Sequence, residues 1–224
     1  MEMTDWMTAH RIAVGDVALE GDLAVPAHAV GLVLFAHGSG SSRHSPRNRA
    51  VAADLNRLSL ATLLVDLLTT GEETVDARTR ELRFDIGLLA DRLIGVIDWL
   101  QDQPQTAVLP IGLFGASTGA AAALVAAAAR RDAVRAVVSR GGRPDLAGPA
   151  LLEVAAPTLL IVGERDALVL DLNEQARNTM LVSAELRIIP TATHLFEEPG
   201  TLQQVAEQAG RWFTDHLAAP AAHA

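Results

Sequence analysis

Reactive residue types are missing from this chain of 224 residues, and each absence excludes a class of chemistry. There is no cysteine, which excludes thiol nucleophiles, disulfides, thiolate zinc sites and iron–sulfur clusters. All 18 basic residues are arginine, so no lysine is present for a Schiff base or a Walker A phosphate loop. Tyrosine is also absent, which excludes a Tyr/Lys oxidoreductase pair. The chemistry therefore rests on Ser, Thr, His, Asp, Glu and Arg.

Positive charge is scarce relative to negative charge. The 18 basic residues face 27 acidic ones, which gives a net charge of -9. Binding to nucleic acid or to an anionic membrane depends on clustered cations. We therefore expect neither nucleic acid nor a membrane as a partner.

The longest uncharged run covers residues 107–129 and is long enough for a membrane span. Pro110 and several glycines interrupt it, which favours a buried strand followed by a buried helix. The first eleven residues contain acidic side chains and no apolar segment, unlike a signal peptide. These features predict a cytoplasmic protein.

Apolar residues make up 50% of the chain, enough for one sizeable core. We expect a single domain over residues 1–217 and a disordered tail at 218–224. Two alternating segments open the chain, with Gly21-Asp22 as the expected turn between them. Short apolar runs of the kind found in buried parallel strands follow at Gly31–Ala36, Ala61–Asp66, Val108–Phe114, Val134–Ser139, Thr158–Val162 and Leu186–Ile189.

Helical patterns separate these runs. They cover Arg47–Leu58, Thr79–Gln101, Thr118–Arg131, Asp171–Leu181 and Leu202–His216. Strand alternating with helix predicts an α/β fold with a doubly wound, mostly parallel sheet. Ligands of such sheets bind outside the carboxyl ends of the strands, so catalytic residues should follow strands directly.

A candidate nucleophile stands between a strand and a helix. Ser117 is the centre of Gly115-Ala116-Ser117-Thr118-Gly119, a G-x-S-x-G pattern in the strand–turn–helix context that this motif requires. The sharp turn strains the backbone of the serine and needs nearly side-chain-free neighbours. Two alternatives remain: a glycine-rich packing turn with an incidental serine, and a dinucleotide-binding turn, although the G-x-G-x-x-G spacing is not met.

Candidate partners of Ser117 follow it in the order acid, then histidine. His194 directly follows the last strand, whereas His216 lies in the last helix and His223 in the tail. Asp166 follows the strand Thr158–Val162 and could orient the imidazole. Asp145, which follows the preceding strand, is the competing acid, and His194 could instead be a loop histidine that caps a helix. Glu164 is interpreted as a solvated loop charge.

Backbone amides after the first parallel strand should form an oxyanion hole. The segment His37-Gly38-Ser39-Gly40 should supply one donor, for which the N–H of Ser39 is favoured and that of Gly40 is the alternative. The second donor is the N–H of Thr118. We interpret His37 as a residue that shapes this loop rather than as a base.

The whole set of motifs resembles the α/β-hydrolase superfamily over nearly the whole chain. The segments HGSGSSRHSPRNRA, GASTG, GERDALV and ATHLFEEPG look most like the dienelactone-hydrolase-like group. The resemblance implies an α/β-hydrolase fold and hydrolysis of carboxylic esters or lactones through an acyl-enzyme. The catalytic residues would be Ser117, Asp166 and His194. Dienelactone hydrolases proper use a cysteine nucleophile, so the serine here favours a general small-ester hydrolase.

Two further features bear on the substrate. Only eighteen residues separate Ser139 from Thr158, too few for a cap domain, which favours short or polar substrates. Arginines also follow two strands at the active edge of the sheet. They could anchor a substrate carboxylate or phosphate, or pair with acids of the chain such as Asp145. These four residues are Arg43, Arg47, Arg140 and Arg143.

The leading hypothesis is a serine esterase that acts on a small-molecule ester without a metal or other cofactor. A thioesterase or acyltransferase with the same triad is the alternative within enzymes. A non-catalytic binding domain on the same scaffold is the alternative outside them, and a nicotinamide oxidoreductase would need to bind its cofactor. A homodimer is a possible assembly.

Overall fold

A single eight-stranded sheet forms the centre of the protein in a computed structural model that describes residues 7–218. Four of its eight strands are completely buried runs rich in Val, Leu, Ile, Ala and Phe, as expected where helices cover both faces. In chain order the strands are β1 (Met7–Val14), β2 (Val17–Ala24), β3 (Gly31–Ala36), β4 (Leu60–Val65), β5 (Ile111–Ala116), β6 (Val134–Arg140), β7 (Thr158–Gly163) and β8 (Ala184–Ile189).

The strand order in the sheet is β1-β2-β4-β3-β5-β6-β7-β8. β1 and β2 form an antiparallel hairpin, and β2 is also antiparallel to β4. All remaining neighbours are parallel, so the carboxyl ends of β3 to β8 lie along one edge. The expected mostly parallel, doubly wound α/β sheet is confirmed.

Six α-helices are described, and five of them pack on the two faces of this sheet. The six are α1 (Pro46–Arg57), α2 (Thr70–Thr79), α3 (Ile86–Asp102), α4 (Thr118–Ala129), α5 (Ala167–Thr179) and α6 (Thr201–Leu217). Two apolar clusters separate the layers. One cluster contains the buried residues of α3 and α4, and the other contains those of α1 and α6. The alanine-rich α4 is so completely covered because its small side chains allow close approach to the sheet.

The opening hairpin turns earlier than the sequence predicted. Its turn is Gly15-Asp16, and Val14 pairs with Val17 across it. A Gly-Asp pair occurs twice in this region, at 15–16 and 21–22. Gly15 has φ +55°, which suits a two-residue hairpin turn. Gly21 instead lies inside β2, between the side chains of Ile12 and Leu63, where an added Cβ would lie 3.0 and 3.1 Å from their Cδ1 atoms.

The long helix predicted over Thr79–Gln101 is wrong at its start. Thr69 begins α2 through a capping box in which its side chain accepts from the Glu72 N–H and the Glu72 carboxylate accepts from the Thr69 N–H. Arg80 then ends α2 with a left-handed backbone, φ +60°. A short 3₁₀ turn follows, and the Asp85 side chain caps the start of α3.

The connection between β6 and β7 contains one 3₁₀ segment, Pro144–Leu152, and no inserted domain. The expected absence of a cap domain is therefore confirmed at this position. No helix within residues 7–218 is long and apolar enough to cross a membrane, and the uncharged run at 107–129 contains β5 and α4. The single domain over 1–217 stays a prediction. Residues 1–6 and most of the predicted tail, 219–224, lie outside the described residues.

Candidate active site

The predicted catalytic side chains meet at the carboxyl edge of the sheet. Ser117 follows β5, Asp166 follows β7, and His194 lies in the loop after β8. Ser117 and His194 line one cleft of about 240 Å³ together with Ser39, Arg47 and Arg140. The topology thus brings together groups that are up to 155 residues apart, counted from Ser39 to His194.

Ser117 occupies a strained turn between β5 and α4. Its backbone has φ 51° and ψ -122°, a combination that few non-glycine residues adopt. A Cβ at Gly119 would overlap the carbonyl oxygens of Ala36 and His37, and one at Gly115 would overlap the backbone of Ala120. Both glycines of the G-x-S-x-G pattern are therefore required by close backbone approach, which was the steric reason for predicting this turn.

The imidazole of His194 is hydrogen-bonded to a carboxylate. Its Nδ1 lies 2.6 Å from Oδ2 of Asp166, whose side chain is largely buried. Such a bond fixes the Nδ1–H tautomer and leaves Nε2 free to accept a proton. No hydrogen bond within residues 7–218 joins the Ser117 hydroxyl to His194. Serine–histidine bonds are often long in enzymes without substrate, so this separation is compatible with a catalytic pair.

The competing acid has a different partner. Both carboxylate oxygens of Asp145 accept from the Arg143 guanidinium, at 2.8 and 2.7 Å. Asp166 is thus the carboxylate that contacts His194, whereas Asp145 forms a bidentate ion pair with Arg143.

Two glutamates that the sequence analysis did not assign to the site brace the loop of His194. Glu164 accepts from the N–H of Thr191 at 2.7 Å. Glu198 accepts from the N–H and the hydroxyl of Thr193, at 3.1 and 2.7 Å. These hydrogen bonds lower the pKa of Glu198, so its carboxylate stays ionised and continues to accept from Thr193. In the sequence, the spacing Thr-His-x-x-x-Glu already places Glu198 close to His194. The contact of Glu164 with the same loop is visible only in the folded chain.

The loop after β3 approaches Ser117 closely. A Cβ at Gly38 would lie 3.1 Å from that of Ser117. The N–H of Ser39, predicted as an oxyanion donor, donates to the Thr118 hydroxyl at 3.0 Å. It is therefore engaged in this arrangement, which differs from the expected free donor. The N–H of Thr118 has no acceptor within α4, because Thr118 is the first residue of that helix.

His37 holds this loop to the neighbouring strand. Its Nε2 accepts from the N–H of Leu67 at 3.2 Å, and its Nδ1 lies 3.0 Å from the carbonyl oxygen of Gly38. Burial lowers the pKa of His37, against smaller opposing effects of the Gly38 hydrogen bond and of Asp66. The neutral imidazole donates from Nδ1 and accepts at Nε2, so both ring nitrogens are used in shaping the loop.

The four candidate arginines divide into two groups. Arg43 is engaged by Asp66 and lies 3.5 Å from Asp22, and Arg143 is engaged by Asp145. Their charge is used within the protein, which was the alternative to substrate binding. Arg47 and Arg140 both line the cleft of Ser117. Arg47 contacts the exposed Glu197 at 3.1 Å, whereas no carboxylate within residues 7–218 pairs with Arg140.

A second, larger cavity of about 420 Å³ lies on the other side of the loop after β3. It shares Gly38, Ser39, Ser41 and Ser45 with the cleft of Ser117. Its far wall comes from Leu68, from α2 and from the 3₁₀ turn before α3, a segment whose structure the sequence did not reveal. The two cavities thus share the residues of one loop, beside Ser117.

Comparison with known proteins agrees with this geometry. A family described as "Alpha/beta hydrolase domain" matches residues 29–216, which is most of the chain. The chain belongs to the α/β-hydrolase family. The crystal structure of a dienelactone hydrolase from Anabaena variabilis is 60% identical, with a TM-score of 0.93 over 94% of this α/β hydrolase and 98% of that chain. The resemblance to the dienelactone-hydrolase-like group is therefore confirmed.

Two other similar proteins are related to this chain in different ways. A Mycobacterium tuberculosis protein, provisionally named a phosphoribosyl transferase, is 60% identical over 210 residues. Those residues are 94% of this α/β hydrolase but only 46% of that protein, so the chain spans about half of that relative. A serine hydrolase without lid from Xanthomonas campestris, at 21% identity and a TM-score of 0.76 over 98% of this chain and 99% of that one, shows the shared fold alone.

The buried neutral state of His37 predicts a pH dependence of stability. Below about pH 6.5 the unfolded chain protonates this histidine, while the folded chain resists protonation. The free energy of unfolding therefore decreases as the pH is lowered. The slope attributable to one such group is at most about 1.4 kcal/mol per pH unit. Urea unfolding of wild type and His37→Gln between pH 7 and pH 5.5 measures it. We expect His37→Gln to have a shallower dependence, and exposed His28→Asn to keep the wild-type slope; parallel curves for wild type and His37→Gln would contradict the account.

Proposed function

We propose that this α/β hydrolase cleaves small carboxylic esters through an acyl-enzyme on Ser117. The observation that carries the proposal is the 2.6 Å contact between Asp166 Oδ2 and His194 Nδ1, in a cleft that His194 shares with the strained Ser117. An orienting acid, a base with a free Nε2 and a serine at a strand–helix turn are the groups that nucleophilic acyl transfer needs.

Acylation follows from these groups. The Ser117 oxygen attacks the ester carbonyl carbon and its proton passes to Nε2 of His194. Asp166 stabilises the imidazolium that forms. When the tetrahedral intermediate collapses, the bond to the alcohol oxygen breaks and His194 returns the proton to the departing alcohol. The acyl group then remains on Ser117 as an ester.

Deacylation repeats the same proton transfers with water. His194 takes a proton from a water molecule as its oxygen attacks the acyl carbon, and then returns that proton to the Ser117 oxygen. The products are the free acid and the regenerated serine. The partly exposed imidazole of His194 supports access of water to the acyl-enzyme.

Backbone N–H groups stabilise the negative charge of the tetrahedral intermediate by hydrogen bonding. The N–H of Thr118 is at the positive end of α4 and adjoins Ser117. The Ser39 N–H becomes the second donor when the Thr118 hydroxyl rotates away from it, a change of one side-chain torsion. The approach of Gly38 to Ser117 supports a role for this loop beside the reacting carbonyl.

The size and shape of the site favour small substrates. The cleft volume of about 240 Å³ lies below the usual range for drug-sized ligands. Lactones are internal esters and undergo the same steps, with the alcohol retained on the acyl chain. Thioester hydrolysis or acyl transfer to another acceptor would use the same residues. Measured rates on matched esters, lactones and thioesters distinguish these substrates.

Phosphoribosyl transfer, which the name of the Mycobacterium relative gives, is not supported as a second function. More than half of that protein lies outside the aligned region, so its name does not identify which part carries the activity. The Ser117, His194 and Asp166 arrangement has a direct use in acyl transfer. We therefore assign no sugar-phosphate transfer to this chain.

Removal of the nucleophile tests the proposed function. We expect Ser117→Ala to lower kcat on 4-nitrophenyl acetate by several orders of magnitude, as for other triad nucleophiles, with the thermal midpoint unchanged. Ser59→Ala is the matched control, because Ser59 also has a positive φ, 59°, but lies away from the cleft. More than about a tenth of wild-type activity in Ser117→Ala would exclude it as nucleophile.

A pair of asparagine variants tests the acid. Asp166→Asn removes the charge that holds the His194 tautomer and should lower kcat/KM about a thousandfold or more. Asp145→Asn has the same chemical change in a residue that pairs with Arg143, and should change kcat/KM little. Steady-state kinetics of both proteins on one ester gives the comparison. A larger loss in Asp145→Asn would assign the orienting role to the earlier strand.

A further inference from the structure

We propose that Arg140, together with Arg47 and Asn48, forms an anion subsite that binds a carboxylate or phosphate group of the ester substrate beside Ser117. The three residues come from the end of β6 and the first turn of α1, and all three line the cleft that contains Ser117 and His194. The inference rests on the proposed function, because it assigns the bound anion to the substrate of that site.

The guanidinium of Arg140 is a buried cation with no carboxylate paired to it in the part of the chain that the structure describes. The residue is only 9% exposed, and its Nη1 atom is buried without a hydrogen-bond partner among the described residues. Burial, with the nearby guanidinium of Arg47, lowers the pKa of Arg140 to about 10, so the side chain still carries its charge at pH 7. An unpaired buried charge is costly to a fold, so its retention in a cleft points to a ligand.

Neighbouring groups are likewise unsatisfied. Nε of Arg47 and Oδ1 of Asn48 are buried without partners within residues 7–218, and Asn48 is 2% exposed. Both arginines thus have an unused N–H donor in residues that line one small cavity, and Asn48 can offer an anion only its amide N–H groups, because Oδ1 is an acceptor. A single bound oxyanion could accept from both guanidinium groups, which carry N–H donors in the fork geometry that suits carboxylate and phosphate.

Helix α1 adds a further positive potential. Arg47 and Asn48 belong to its first turn, directly after the capping residue Ser45, and the helix is 12 residues long. The positive end of the helix dipole and two guanidinium groups therefore act on the same space. This local charge occurs in a chain whose net charge is -9, so it does not follow from a general excess of cations.

The subsite adjoins the reacting serine. Arg140 pairs with Ala116 in the register of β5 and β6, and its carbonyl accepts from the N–H of Ser117 at 3.2 Å. An anion held by Arg140 would thus lie in the same cleft as the ester carbonyl that Ser117 attacks. The arginines next in the loops, Arg43 and Arg143, cannot take this role while their own acids engage them.

Binding to a catalytically inactive protein tests the subsite independently of ester hydrolysis. Isothermal titration of Ser117→Ala with monomethyl glutarate and with phenyl phosphate should show saturable binding, and neutral dimethyl glutarate should bind more weakly. Adding Arg140→Gln should weaken anion binding about tenfold to a hundredfold, the usual effect of a charge-assisted hydrogen bond. The tighter of the two anions identifies whether the subsite favours carboxylate or phosphate.

Arg143→Gln in the same Ser117→Ala background is the matched control, since it removes an arginine that is already paired with Asp145. It should leave anion affinity unchanged. Arg47→Gln, at a half-buried position, provides a second test in case Arg140→Gln does not fold, and should weaken both anions several-fold. No anion binding by Ser117→Ala, or equal losses in the Arg140 and Arg143 variants, would overturn the subsite.

Stability separates a binding arginine from a structural one. Replacing an unpaired buried charge with an apolar side chain of similar size should raise or preserve the thermal midpoint. We therefore expect Arg140→Met to be at least as stable as wild type, and a clear drop in its midpoint would indicate a structural role. Anion binding that depends on Arg140 in a wild type without esterase activity would support the subsite and refute the proposed function.

Discussion

The close approach of α4 to the loop after β3 is the constraint on which the rest of the site depends. Gly119 fits against the carbonyl oxygens of Ala36 and His37 only because it has no side chain. The same contact turns the chain sharply at Ser117 and brings Gly38 against it. Strain at the serine and the position of the amide-rich loop therefore have one cause, which is the packing of a nearly side-chain-free helix start on the sheet.

A second set of contacts positions His194. Gly163 at the end of β7 allows the carbonyl of Ala192 to approach, and the loop that carries His194 is tied on both sides by Glu164 and Glu198. The Asp166 carboxylate is thereby held at hydrogen-bond distance from Nδ1. Parallel strands place such loops along one edge, so three short segments far apart in the chain converge without a separate domain.

The predictable part of this molecule is the part that depends on local pattern. Buried strands show as apolar runs, and the fold family specifies that the loops after them carry the serine, acid and histidine in that order. Segments without such a pattern were predicted less well. The turn at Gly15 could not be separated from the identical dipeptide at 21–22. The spacing Thr69-x-x-Glu72, by contrast, is a capping-box signal that marks the start of α2 in the sequence.

Ion pairing was the least predictable property, because it depends on distances between loops. Four arginines follow strands in the sequence, yet only the folded chain shows that Arg43 and Arg143 meet carboxylates and that Arg140 meets none among residues 7–218. The engaged N–H of Ser39 could not be foreseen for the same reason. These contacts decide what the site is able to bind, whereas the motifs decide the class of chemistry.

Reaction with a fluorophosphonate measures directly whether Ser117 is an activated nucleophile, the property on which the proposed catalysis depends most. The Ser117 oxygen would form a bond to phosphorus as fluoride leaves, and the modified protein would no longer release the group readily. Intact-mass spectrometry followed by peptide mapping should find one adduct per chain, on Ser117, and none in Ser117→Ala. A folded wild-type protein that stays unmodified, or that carries its adduct on another residue, would contradict the proposed catalytic role of this serine.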